Sequence, residues 1–154
     1  MRLTLVVFFV EALLILSTFA RIGETEGQIE KRYGKPQDSF NNSYGKRCRY
    51  LFQAFYVFVD FEHGVSQMEV YQKKDWGVIT PTETVALLTA NSGGAKWSDP
   101  ELVDGDYIAH ATGRPRRVAI YHTGSRDLMI TSKEFLDRAA NVMDAASRKK
   151  MQGF

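Results

Sequence analysis

Cysteine is almost missing from this chain: Cys48 stands alone among 154 residues. A single thiol excludes an intrachain disulfide and any cysteine cage for zinc or an iron–sulfur cluster. Charge of one sign is missing too, since 20 Lys and Arg face 18 Asp and Glu for a formal balance of +2. Without a large cationic field, a dedicated nucleic-acid binder is not expected. The three histidines, His63, His110 and His122, lack His-Glu-x-x-His spacing. Ser92-Gly93-Gly94 has no Gly-Lys-Ser/Thr ending and follows a helical pattern, whereas a phosphate loop follows a strand. Gly124-Ser125 comes after Tyr121-His122-Thr123 and has no Gly-x-Ser-x-Gly context. No catalytic residue, metal ligand or cofactor is therefore assigned.

Apolar residues are concentrated at the amino end. They occupy 15 of the first 20 positions, behind the positive Arg2 and ahead of Ser17-Thr18-Phe19-Ala20. A charged start, an apolar run and small residues three and one before a cut after Ala20 make the layout of a secretory signal. Glu11 interrupts the run. One acidic group costs roughly 2–3 kcal/mol on insertion scales, which a dozen Leu, Ile, Phe and Val at about 0.3–0.6 each outweigh. The expectation is a signal peptide or signal anchor over 1–20 and one domain over 21–154, exported to a periplasmic or extracellular space. A retained segment would instead anchor the chain to a membrane.

Within the domain, helix punctuation is explicit. Thr25 and Gln28 have capping-box spacing, Ile29 and Tyr33 share a face, and Gly34 and Pro36 stop the helix. Gln37 to Lys46 reads as a polar loop. Arg49 to Phe61 is rich in aromatic and β-branched residues and reads as one strand, with Phe55, Val57, Val59 and Phe61 inward. Glu62-His63-Gly64 turns it into a return strand, Val65 to Gln72, with Met68 and Val70 inward. Thr80, Pro81 and Glu83 open a second helix with Val85, Ala86 and Leu88 facing in, and Trp97 closes over the core. Asp106–Thr112, Arg116–His122 and Leu128–Thr131 read as strands. Thr131 and Glu134 then cap a helix whose apolar face is Phe135, Leu136, Ala139, Val142, Met143 and Ala146, with Arg148, Lys149 and Lys150 at its carboxyl end. The fold class is α+β: an antiparallel sheet of five to six strands with helices on one side. Two helix-plus-meander halves, near 21–76 and 77–131, precede a C-terminal helix over 132–150.

Arg21-Ile22-Gly23-Glu24-Thr25 through Tyr33-Gly34-Lys35-Pro36, the Phe61-Glu62-His63-Gly64 turn, and Leu87-Leu88-Thr89-Ala90-Asn91 with Trp97 resemble small secreted bacterial proteins of unknown function. A helix ending in Tyr-Gly-x-Pro before a meander is similar to the envelope-assembly lipoproteins of the SmpA/OmlA type. Tandem helix-plus-meander halves resemble β-lactamase-inhibitor-protein-like domains. The resemblance implies a protein-binding role. The chain departs from the lipoproteins in having no cysteine directly after the apolar segment.

The expected function is thus an exported, non-catalytic module that binds a protein or envelope component. Arg49, Tyr56, Phe58 and Tyr71 are the binding candidates, read as the outward side of the first hairpin and of the residue types that anchor interfaces. A small hydrolase or metal- or ligand-binding protein is the alternative if His110 and His122 meet across neighbouring strands near Asp106 or Glu101. A membrane-anchored structural protein is the third reading. Cys48 lies between Lys46-Arg47 and Arg49, cations that lower a thiol pKa where they surround it in space.

Overall fold

The computed structural model of the chain describes residues 22–151. The export segment expected over 1–20 lies outside them. Helix α1 (Glu26–Tyr33) starts where the capping box predicts: Gln28 Oε1 accepts from the Thr25 backbone N–H at 2.9 Å and from its hydroxyl at 3.0 Å. Gly34 ends it at φ 84°, a conformation glycine adopts without steric cost. Helix α2 (Pro81–Asn91) begins with Pro81 in its first turn, and Glu83 Oε2 accepts from the Thr80 N–H at 2.7 Å. Helix α3 (Lys133–Met151) starts one residue later than the spacing suggests. Its cap is Ser132, whose Oγ accepts from Phe135 N at 3.3 Å, because the Thr131 hydroxyl is already donating to the Gln67 carbonyl at 3.0 Å. The Met143, Ala146 and Arg148-Lys149-Lys150 side chains lie outside the described residues.

Between the helices run β1 (Asp38–Asn42), β2 (Gly45–Phe52), β3 (Phe55–Glu62), β4 (Val65–Lys73), β5 (Glu101–Val103), β6 (Asp106–Ala111), β7 (Arg117–His122) and β8 (Asp127–Ser132). They form one antiparallel sheet in the order β1-β2-β3-β4-β8-β7-β6-β5. Two four-strand meanders, each led by a helix, meet along β4 and β8. The α+β class agrees with the sequence, but eight strands exceed the five to six expected.

Each missed strand has a physical reason. The aromatic run is two strands, because Phe52 pairs with Phe55 and Gln53-Ala54 turns between them with Gln53 at φ 52°. Neither residue carries a turn signature, so no punctuation marked the break. Asp38–Asn42 is an edge strand of weak β formers, held through Phe40↔Arg47 and its neighbours. β5 has three residues, all exposed.

The return strand is out of phase with the prediction. Asp60 pairs with Met68 but Phe61 pairs with Ser66, so Gln67 bulges between them. A bulge exchanges the two faces of the strand beyond it. Ser66, Glu69 and Tyr71 therefore point to the core, and Met68 and Val70 point out, half-buried. Similarly, Val85 and Ala86 on α2 are exposed, whereas Leu87 and Leu88 are half-buried and Ala90 and Asn91 are buried.

One sheet face is covered along its length, and on the other Asp60, Thr131 and Val118 are buried too, in the row nearest the end of β8 from which α3 leaves. On the first, Ile29 and Tyr33 of α1 pack on Cys48, Tyr50, Val57 and Val59, with Tyr71, Leu128 and Ile130 continuing the core across the seam. Trp97 packs against this core as expected and donates from Nε1 to the Leu88 carbonyl at 2.7 Å. On leaving β8, α3 reaches the β1–β2 turn, where Tyr44 packs edge-on against Phe135, and the β3–β4 turn, where Arg138 pairs with Glu62. Among the described residues no helix is long and apolar enough to cross a membrane.

Candidate functional site

Alternation along the strands carries every second residue to the other face. There the register lines up Asp38, Arg49, Phe58, Val70, Met129, Ile120, Ile108 and Glu101, one from each strand. The five central residues are apolar and half-buried, none of them closed off from solvent. An outward sheet face is ordinarily polar, so this row is an open apolar stripe with charge at both ends. Arg49 holds Asp38 at 2.6 Å and lies over the Tyr56 ring, 5.6 Å from its centroid. In the neighbouring row Arg47 grips buried Asp60 with Nε and Nη2 at 2.6 and 2.5 Å. Arg47, Phe58, Val70, Gln72 and Asp127 surround a depression of about 180 Å³. Three of the four candidates, Arg49, Tyr56 and Phe58, thus share the open face.

Tyr71 does not join them, and its outward placement is corrected. The bulge at Gln67 turns it inward, where it is 2% exposed. It becomes part of a buried polar group. Its hydroxyl donates to Glu69 Oε2, lies 3.1 Å from the Tyr33 hydroxyl and accepts from Asn91 Nδ2 at 3.0 Å. Burial pushes Glu69 up to about 7, against hydrogen bonds from Tyr71 and Tyr33 that favour the carboxylate; Glu24 raises it and Arg32 lowers it. The same burial, with Glu69 next, holds Tyr71 well above the ordinary phenol range. Perturbed groups of this kind also occur at active sites. Here they tie α1 and α2 to β4, since Tyr33, Asn91 and Tyr71 come from those three elements.

The histidines do not assemble. His110 pairs with Val118, and His122 sits four residues further along β7. Four strand residues separate them by roughly 13 Å, so the expected approach across the sheet is not realised. His110 is exposed, and His122 Nδ1 is 2.6 Å from Asp127 Oδ1. His63 occupies the β3–β4 turn at φ 53°. Among the described residues no group of three metal-ligating side chains forms. Cys48 is 1% exposed, and burial raises its thiol, with Lys46 opposing. Arg47 and Arg49 emerge on the opposite face, so the flanking cations do not surround it. Arg116 and Arg117, adjacent in sequence, also part: Arg116 pairs with Glu134 at 3.3 Å, while buried Arg117 donates to the Ser92 and Pro115 carbonyls. That contact gives Ser92-Gly93-Gly94 a structural role.

A second concavity was not anticipated. Between α2 and strands β6 to β8 lies a groove of about 510 Å³, lined by residues that include Ile79, Val85, Leu88, Ala109, Ala119 and Leu128. Tyr107 and Tyr121, opposite each other in register, also line it. The sequence signal was the small Ala109 and Ala119 at paired core-facing positions, where a filled sheet would carry larger side chains. Compared with family models, with curated proteins and with solved structures, the chain matches none.

Proposed function

We propose that this chain is an exported, non-catalytic module that holds a protein partner against the open face of its sheet. The observation that carries the reading is the registered row Phe58, Val70, Met129, Ile120 and Ile108, half-buried and flanked by Arg49 with Asp38 on one side and Glu101 on the other. An apolar centre with a polar rim is the anatomy of an interface. Arg49 over Tyr56 adds the residue types that most often dominate binding energy. Export rests on the apolar segment over 1–20 and its small-residue ending.

Replacing Tyr56 and Phe58 by Ser tests the reading. The double variant is expected to keep the circular dichroism spectrum and a cooperative melt. In affinity capture from the exported fraction it should lose the partner that the unaltered chain retains. Unfolding of the variant would make this face core and defeat the proposal. Intact-mass measurement of the exported chain locates the processing site, and a mass that retains residues 1–20 contradicts cleavage.

A further inference from the structure

We infer that the groove between α2 and strands β6 to β8 is a binding site for a free single-chain alkyl carboxylate, its chain on the apolar floor and its head group at Arg126. No charged side chain lines the groove, and its side-chain polar atoms are the hydroxyls of Thr84, Ser98, Tyr107 and Tyr121. Its volume of about 510 Å³ falls within the ordinary range for small-molecule sites. Ala109 and Ala119, paired in register, leave the floor hollow, while Val85 at 63% and Val78 at 57% exposure leave apolar walls in water. Burying such surface drives binding of an apolar chain.

The floor also selects against an extended peptide. The β6, β7 and β8 backbones spend their hydrogen bonds on one another, and the outer side of β6 is taken by β5 and by Ser98, whose N–H donates to the His110 carbonyl at 2.7 Å. A peptide laid there would leave its own amides unpaired, whereas an alkyl chain has none to satisfy. Outside the lining itself, Arg126 lies two residues before the lining residue Leu128 and donates from Nη1 to the Trp76 carbonyl at 3.4 Å. Trp76 in turn is two residues before the wall residue Val78. Among the described residues Arg126 has no ion-pair partner. Its guanidinium is always charged and presents a fork suited to a carboxylate.

The test is titration of the full chain with dodecanoate and with dodecanol, both below self-association, read by calorimetry and by native mass spectrometry. One dodecanoate per chain is expected. Ala119→Phe, which fills the floor, and Val85→Glu, on the exposed side of α2, should each weaken it at least tenfold. The second variant keeps the test decisive if the first fails to fold. Arg126→Ala should weaken dodecanoate about tenfold and leave dodecanol unchanged. Absence of saturable binding, many molecules per chain, or binding indifferent to Ala119→Phe and Val85→Glu overturns the site. A polypeptide or second copy displaced from the groove in place of dodecanoate overturns it as well. An Arg126→Ala variant that binds both ligands as before overturns the carboxylate assignment.

Discussion

Glu69 is a fully buried carboxyl between two phenols, and its ionisation sets how the domain responds to pH. Burial holds it near 7 in the folded chain, against an ordinary value of 4.5. Below pH 4.5 it is protonated in both folded and unfolded chains, so the folded state carries no penalty. Between 4.5 and 7 the unfolded chain releases the proton first, and stability falls as pH rises; above 7 the loss is complete. The whole loss is on the order of 3 kcal/mol. Glu69→Gln removes the titration while leaving an acceptor for the Tyr71 hydroxyl. The expected outcome is a melting temperature that declines from pH 4.5 to 7.5 in the unaltered chain and is nearly flat over that window in the variant. A variant that keeps the slope would assign it to another group. Nothing local in the sequence announced this residue, because its inward direction follows from the bulge two positions earlier. The same bulge removed Tyr71 from the open face, while Arg49, Tyr56 and Phe58, on strands without a bulge between them, stay on the side that simple alternation gives them.

At the scale of elements, what was legible is what short-range chemistry encodes. Thr80, Pro81 and Glu83 announce α2 because a cap, a preset φ and a reciprocal hydrogen bond all lie within four residues. Thr80→Ala is expected to cost about 1 kcal/mol, read as a lower urea midpoint with unchanged slope. The break at Gln53-Ala54 and the edge strand Asp38–Asn42 were hidden, since both depend on pairing with distant strands. The groove was hidden for the same reason: alanines become a floor only once α2 is placed beside them. Gly93 belongs to this scale too. It ends the α2 region at φ 60°, and a Cβ there would stand 2.6 Å from Nη2 of Arg117. Arg117 is buried and held by the Ser92 and Pro115 carbonyls, so it has little room to yield. Gly93→Ala should destabilise by about 1–3 kcal/mol. Thermal melts of Gly93→Ala beside Gly94→Ala check it, since Gly94 at φ 86° shares the left-handed backbone strain but an added Cβ there meets nothing within 4 Å, so its loss should lack the part due to Arg117.

The whole molecule depends on one seam. The β4–β8 register joins the meanders through Met68↔Thr131, Glu69↔Ile130, Val70↔Met129 and Tyr71↔Leu128. On the covered face these pairs carry Ile130 and Leu128, both buried, and bring Tyr71 within reach of Asn91 from α2. The core is therefore continuous across the seam, and neither meander buries its inner face without the other. Two reporters lie on opposite sides of it: Cys48 on β2, 1% exposed, and Trp97, which packs between α2 and β6. In increasing urea, the reactivity of the Cys48 thiol and the emission of Trp97, read in a Trp76→Phe background, should change with one midpoint. Ile130→Ala removes a fully buried side chain at the seam and should lower both midpoints together, by about 2–5 kcal/mol of stability. Separate midpoints would mean that the meanders unfold independently. In that case the open face, whose apolar row crosses the same seam from Phe58 to Ile108, would not be presented as one rigid surface.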